Sequence, residues 1–196
     1  SFPTRRSSDL KNLKVVFFGT PDFAAKSLEA IHQSHHEIVG VVTVADKPSG
    51  RGQKLTESPV KKYAVENNLP VFQPEKLRNP EFLEEMRKLE ADVFVVVAFR
   101  MMPKVLFEMP KLGTFNLHAS LLPDYRGAAP INFAIINGEE KTGATTFFIN
   151  EKIDEGNILL QEELPISPDE NAGSLHDRLM EMGAKLVVKT LDGLAE

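Results

Sequence analysis

The longest strongly apolar run of the chain reads Val93-Phe94-Val95-Val96-Val97-Ala98-Phe99. Such a run is typical of a strand that is buried on both faces of a parallel sheet, and it is too short to span a membrane. Another short run, Leu13-Lys14-Val15-Val16-Phe17-Phe18, has the same character and stops at Gly19. A helical pattern follows it, so the sequence predicts an α/β domain.

Strands and helices alternate along the rest of the chain. This order predicts a Rossmann-like, doubly wound, mainly parallel sheet with helices on both faces, and ligands of such sheets bind beyond the carboxyl ends of the strands. Ser58 is the expected cap of a helix that starts with Pro59. The predicted strands cover residues 13–18, 37–44, 91–98, 113–118, 142–149 and 158–164, and the predicted helices cover 21–31, 58–68, 81–90, 129–137 and 173–191.

The composition predicts one soluble domain. Of 196 residues, 42% are apolar and 26% charged. The absence of cysteine excludes a disulfide scaffold, a thiolate nucleophile and cysteine-based metal sites, and it fits a reducing cytoplasm. Because 28 acidic residues outnumber 23 basic ones, contact with nucleic acid would require a local basic patch.

Residues 1–12 are left out of the predicted fold. The first ten, Ser1-Phe2-Pro3-Thr4-Arg5-Arg6-Ser7-Ser8-Asp9-Leu10, lack the apolar core of a signal peptide and any helical or strand periodicity. They look like the translation of a sequencing-adapter oligonucleotide, so we expect a leader that is either non-native or disordered. The predicted domain covers residues 13–196.

The first strand-to-helix turn, Phe18-Gly19-Thr20-Pro21-Asp22-Phe23, carries one glycine where a dinucleotide fingerprint needs three. Dinucleotide binding is therefore excluded. We expect Gly19 to allow a tight turn and Thr20 to cap the helix. A role in holding one end of a substrate stays open, because a helix N-terminus attracts anions.

Residues 46–55, Asp46-Lys47-Pro48-Ser49-Gly50-Arg51-Gly52-Gln53-Lys54-Leu55, disfavour regular structure and predict an exposed, flexible loop. From Asp46 to Lys62 the chain carries five basic and two acidic residues. This basic segment is either simply solvated or a finger that neutralises nucleic-acid phosphates without reading bases.

The segment Asn116-Leu117-His118-Ala119-Ser120-Leu121-Leu122-Pro123 ends a predicted strand. Asn116 and His118 are two residues apart, so they point to the same face, roughly 7 Å apart along the strand. They are either capping and packing groups or an amide donor and an imidazole that share one wall of an active site.

Two further groups of polar residues bear on chemistry. The acidic turn from Asn150 to Asn157 is either a solvated hairpin or the source of a carboxylate, Asp154, that orients His118 for proton transfer. His32, His35 and His36 lack carboxylate or cysteine partners at metal-binding spacing, so we expect capping and surface residues and no metal.

Taken together, these segments resemble the N-terminal catalytic domain of the methionyl-tRNA formyltransferase family. The resemblance runs from about residue 13 to residue 196. It rests on Phe18-Gly19-Thr20-Pro21-Asp22-Phe23-Ala24, Lys47-Pro48-Ser49-Gly50-Arg51-Gly52, Ser58-Pro59-Val60-Lys61, Asn116 to Pro123, Tyr125-Arg126-Gly127-Ala128-Ala129-Pro130 and Ile153-Asp154-Glu155-Gly156.

The resemblance implies an enzyme of translation initiation. It would transfer a formyl group from 10-formyltetrahydrofolate, its co-substrate, to the α-amino group of methionyl initiator tRNA, without a metal. We expect a cytoplasmic monomer that does not bind membranes. The implied site residues are catalytic Asn116, His118 and Asp154, folate-binding Ser120, Leu121, Leu122 and Pro123, and tRNA-contacting Lys47, Arg51 and Lys54.

Two features depart from the family pattern. Phe99-Arg100-Met101-Met102-Pro103 stands where many relatives carry a Tyr-Gly pair, an apolar dipeptide and Pro, which affects the expected lining of the folate pocket. The family's C-terminal β-barrel domain, linked to tRNA binding, is absent from these 196 residues. Two alternatives stay open: a formyltransferase that acts on a small amine, such as glycinamide ribonucleotide or an amino sugar, and a non-catalytic tRNA-binding fragment.

Overall fold

The two apolar runs of the sequence form adjacent parallel strands. In a computed structural model, which describes residues 11–52, 54–150 and 157–196, Val15 pairs with Val93 and Phe18 with Val96. The strands are β1 (Lys14–Gly19), β2 (Glu37–Val42), β3 (Lys47–Ser49), β4 (Lys54–Thr56), β5 (Val71–Phe72), β6 (Val93–Val97), β7 (Thr114–His118), β8 (Lys141–Phe148) and β9 (Ile158–Pro165). The helices are α1 (Asp22–His32), α2 (Pro59–Glu66), α3 (Pro80–Lys88), α4 (Lys104–Phe107), α5 (Pro130–Ile136) and α6 (Ala172–Leu194).

Seven of these strands form one sheet in the order β5-β2-β1-β6-β7-β8-β9. The first five of that order run parallel to one another, while β8 is antiparallel to both β7 and β9. The mainly parallel sheet is therefore confirmed.

Helices cover both faces of the sheet, as the doubly wound arrangement requires. Side chains alternate along a strand, so Val15 and Phe17 of β1 enter one core and Val16 and Phe18 enter the other. The first core is completed by residues of α1, α2 and α6, among them Leu28, Val60 and Leu186. The second is completed by residues of α3 and α4, among them Phe82, Met86 and Leu106.

The turn after β1 depends on a close approach at Gly19. A Cβ atom there would lie 2.7 Å from Cβ of Ala24 and 2.8 Å from the carbonyl oxygen of Val97, so only glycine lets α1 start beside β6. The prediction that Thr20 caps α1 is wrong. The helix starts one residue later, with Pro21 at the capping position, and Oδ1 of Asp22 accepts the N–H of Phe23 at 2.8 Å.

The prediction of a loop without regular structure at residues 46–55 is also wrong. Strands β3 and β4 form an antiparallel hairpin, because Gly50 and Gly52 adopt the positive φ angles, 73° and 86°, that a tight turn needs. The predicted exposure is confirmed for Lys47, Arg51 and Lys54.

Other boundaries follow the sequence closely. Ser58 caps α2 as predicted, with its Oγ accepting the N–H of Lys61 at 3.0 Å. Strand β5 and helix α4 were not predicted, because elements of two and four residues carry little periodic signal. None of the described helices is long and apolar enough to cross a membrane.

Candidate active site

Asn116 and His118 line a cavity of about 930 Å³ at the carboxyl edge of the sheet. The segments that follow β1 and β6, residues 20–23 and 98–100, line the same cavity, and so do residues 127–132. The polar pair thus lies where the strand order and direction predict a ligand, and the cavity has a volume usual for small-molecule sites.

Asn116 lies half-buried in the cavity wall. Its Oδ1 atom is fully buried, and among the described residues it has no hydrogen-bond partner. A buried polar atom without a partner costs free energy unless something else pairs with it. The Asn116 side chain lines the cavity, so its amide group is among those that a bound molecule can contact.

His118 is oriented by a backbone carbonyl that the sequence did not reveal. Its Nε2 lies 2.7 Å from the carbonyl oxygen of Tyr125 and donates to it. Asp154, the carboxylate predicted to orient His118, falls in residues 151–156 and lies outside the described residues, so its role stays a prediction.

Residues Ser120 to Pro123 pack against β8 and β9. Oγ of Ser120 donates to the carbonyl oxygen of Asp124 at 2.6 Å. Oγ1 of Thr145 donates to the carbonyl oxygen of Ser120 at 2.7 Å and accepts the N–H of Leu122 at 3.2 Å. The described lining of the cavity does not include Ser120, Leu121, Leu122 or Pro123, so their contact with folate stays a prediction.

The β3–β4 hairpin places three cations in solvent beside the site. Lys47 lines the cavity, and Arg51 and Lys54 are exposed further along the hairpin. Nζ of Lys61 lies instead 2.6 Å from Oδ2 of Asp46. The hydrogen bond from Lys61 lowers the pKa of Asp46, and one from Gln73 adds to the effect. Within the described residues, Lys47, Arg51 and Lys54 have no carboxylate partner, so their charge is free for a polyanion.

Phe99 and Arg100, where the chain departs from the family pattern, both line the cavity. The Arg100 guanidinium lies 5.3 Å from the ring centroid of Phe99 and donates to the carbonyl oxygens of Pro74 and Glu75 at 2.5 and 2.7 Å. These contacts fix the side chain over the segment that precedes α3.

His176 is a lining residue that sequence reasoning missed. Its ring meets Phe23 edge-on at 5.5 Å between centroids, and its Nε2 lies 3.6 Å from Oδ1 of Asp22. In the sequence it is one polar position of an amphipathic helix, so only the packing of α6 on α1 reveals its place.

The expectation that the histidines near the end of α1 are surface residues without a carboxylate partner is wrong for His36. His36 is buried rather than exposed, and Asp192 of α6 supplies a carboxylate whose Oδ1 lies 2.8 Å from Nε2 of His36 and 3.6 Å from Nε2 of His35. Nδ1 of His36 accepts the N–H of Leu13 at 3.1 Å, so in the neutral ring Nε2 carries the proton. A metal at Nε2 would require the opposite tautomer, and the expectation of no metal here therefore stays.

The fold is an α/β sheet with a polar pair at its carboxyl edge, and this places the chain in a class of α/β proteins that bind ligands there. The family model described as formyl transferase matches residues 13–191, and the chain belongs to this family.

Within this family, the chain is similar to curated methionyl-tRNA formyltransferases. The chain is 58% identical over 182 residues to a methionyl-tRNA formyltransferase of Flavobacterium johnsoniae, covering 93% of this chain and 58% of that protein. It is 59% identical over 187 residues to the methionyl-tRNA formyltransferase of Flavobacterium psychrophilum, covering 95% and 59%. The chain therefore spans about three-fifths of the length of these relatives.

Solved structures support the fold. A phosphoribosylglycinamide formyltransferase from Bacillus halodurans superimposes with a TM-score of 0.77 at 24% identity, covering 92% of this chain and 94% of that one. A formyltetrahydrofolate deformylase from Pseudomonas syringae superimposes with a TM-score of 0.72 at 21% identity, covering 93% and 61%. At these identities the likeness concerns the Rossmann-like architecture alone.

Proposed function

We propose that this chain transfers a formyl group from 10-formyltetrahydrofolate to the α-amino group of methionyl initiator tRNA. The observation that carries the proposal is the placement of Asn116 and His118 on one wall of the cavity. Identity of 58–59% to methionyl-tRNA formyltransferases supports this substrate over a small amine. The exposed cations of the hairpin support it as well.

The cavity and the side-chain amide of Asn116 suit this reaction. The α-amino nitrogen attacks the formyl carbon, and the carbonyl oxygen of the formyl group gains negative charge. The side-chain N–H of Asn116 donates to that oxygen, a contribution typically worth about 10²–10³ in rate.

His118 moves the proton. As the new C–N bond forms, the amine must lose a proton, and as the bond between the formyl carbon and N10 breaks, N10 must gain one. The imidazole of His118 accepts the first and returns it to N10, a role typically worth about 10²–10⁴. Asp154 would stabilise the charged ring. The products are formylmethionyl-tRNA and tetrahydrofolate, with no covalent enzyme intermediate.

We assign the residues that would bind the tRNA and the folate in the same way. Lys47, Arg51 and Lys54 would contact phosphates of the tRNA acceptor arm, and Ser120 to Pro123 would contact the folate. Phe99 and Arg100 also line the cavity. We infer a cytoplasmic location, since the reaction serves translation initiation. The family resemblance also implies a monomer that needs no metal.

An acceptor comparison tests the proposal. The chain is incubated with 10-formyltetrahydrofolate and, in separate reactions, with methionyl initiator tRNA, free methionine and glycinamide ribonucleotide. We expect formyl transfer to the charged tRNA alone. Transfer to glycinamide ribonucleotide in preference would establish the small-amine alternative, and salt-dependent tRNA binding without turnover would establish the non-catalytic one.

A further inference from the structure

The contact between His118 and Tyr125 determines which ring nitrogen carries the proton. A carbonyl oxygen can only accept a hydrogen bond, so Nε2 of His118, 2.7 Å from that of Tyr125, is protonated in the neutral ring. Nδ1 then keeps its lone pair. The position of one carbonyl group thus decides which atom of His118 can take up a proton.

That carbonyl belongs to a strained residue. Tyr125 has a φ angle of 53°, in the left-handed region that residues with a side chain rarely adopt. Such a conformation persists only when its surroundings hold it. The orientation of the Tyr125 carbonyl therefore depends on contacts made elsewhere in the residue.

The Tyr125 side chain supplies those contacts at the end of α5. Its hydroxyl donates to Oε1 of Glu139 at 2.8 Å and accepts from Nδ2 of Asn137 at 2.9 Å. The hydrogen bond from Asn137 lowers the pKa of Tyr125, but the hydrogen bond to Glu139, desolvation and the charges of Glu139 and Asp124 together raise it, so the hydroxyl stays protonated. The N–H of Glu139 in turn donates to the carbonyl oxygen of Ala134 at 3.1 Å.

We propose that Tyr125, anchored on Asn137 and Glu139, is a positioning residue that selects the Nε2–H tautomer of His118 and leaves Nδ1 as its proton acceptor. Tyr125 is not among the described residues that line the cavity, so it acts through His118. The role in formyl transfer rests on the proposed function, whereas the tautomer does not.

Two readouts on the full chain test this proposal. The first is the ¹⁵N spectrum of the His118 ring, assigned with His118→Gln; the second is kcat and KM with methionyl initiator tRNA. In Tyr125→Phe and Glu139→Ala we expect a mixture of both tautomers. We also expect kcat to be lower by about tenfold to hundredfold in each variant. KM for methionyl initiator tRNA should stay within about twofold of wild type. In Glu139→Gln the amide oxygen still accepts a hydrogen bond from the Tyr125 hydroxyl, so this variant should keep the single tautomer and most of kcat.

Tyr63→Phe is the matched control, since the other tyrosine of the chain donates or accepts one hydrogen bond to His32 on α1, away from this cavity. It should change neither readout. A single Nε2–H tautomer in both Tyr125→Phe and Glu139→Ala would overturn the proposal, and so would an unchanged kcat beside a mixed tautomer. If the wild-type chain formylates no methionyl-tRNA, the proposed function fails, while the spectra still decide the tautomer.

Discussion

Nε2 of His36 donates a hydrogen bond to Oδ1 of Asp192 over 2.8 Å, joining the start of β2 to the last turns of α6 across 156 residues of chain. The imidazole is fully buried, and its Nδ1 accepts the N–H of Leu13. One neutral side chain therefore links three parts of the fold that are distant in sequence.

This arrangement predicts an acid-labile contribution to stability. Burial lowers the pKa of His36, although the hydrogen bond to Asp192 opposes the effect. As pH falls below the ordinary value of about 6.5, the unfolded chain takes up a proton before the folded chain does, so the free energy of unfolding decreases. The contribution is complete above about pH 6.5 and is lost as pH falls from there towards the lower pKa of the folded state.

Urea denaturation at about pH 7.5 and about pH 5.5 measures this loss. We expect His36→Gln to lose less stability between the two pH values than wild type does. His32→Gln, which changes an exposed histidine, should behave like wild type. An equal loss in wild type and His36→Gln would show that His36 does not carry the effect.

Gly19 predicts a second stability effect. An alanine methyl there would meet Cβ of Ala24 and the carbonyl oxygen of Val97, at 2.7 and 2.8 Å, and neither is the end of a flexible side chain. We expect Gly19→Ala to lower the free energy of unfolding by about 1–3 kcal/mol, as overpacked cores do. At Gly173 the nearest atom to an added Cβ is 3.3 Å away, in the Asn171 side chain, so Gly173→Ala should cost less. Equal losses in the two variants would refute the close-approach argument.

The β3–β4 hairpin predicts a salt-dependent contact with tRNA. Replacing Lys47, Arg51 or Lys54 by alanine should raise KM for methionyl-tRNA and reduce the slope of log KM against log salt concentration by about one unit for each residue. Steady-state kinetics over a range of potassium chloride concentrations measure both quantities.

Lys88→Ala is the control for this series, because this exposed residue ends α3 just before β6 and thus lies at the amino edge of the sheet, opposite the cavity. It should leave KM and the salt slope unchanged. An effect of Lys88→Ala as large as that of Lys54→Ala would mean that general charge, rather than the hairpin, determines tRNA affinity.

Much of the fold could be predicted from local pattern. The apolar runs of β1 and β6 are buried on both faces of the sheet. Strands buried in this way have continuous apolar sequences, so the pattern predicts parallel strands. The spacing of Asn116 and His118 placed both on one face of β7, and the strand direction placed them at the ligand-binding edge.

The rest depends on information that side-chain identity does not carry. The group that orients His118 is the main-chain carbonyl of Tyr125. Tyr125 has a left-handed conformation, and its hydroxyl is hydrogen-bonded to Asn137 and Glu139. The burial of His36 depends on Asp192, 156 residues away. The hairpin was missed because strands of only three residues are too short to show a clear alternation.

The central claim is that Asn116 and His118 perform formyl transfer to methionyl-tRNA, and single-turnover kinetics test it most directly. Asn116→Asp keeps the size of the side chain but removes the N–H donor, and His118→Ala removes the proton carrier. We expect the rate constant of formyl transfer to fall by about 10²–10³ in the first variant and about 10²–10⁴ in the second, at saturating substrates. A loss of about tenfold or less in both variants would contradict the assignment of this cavity as the active site.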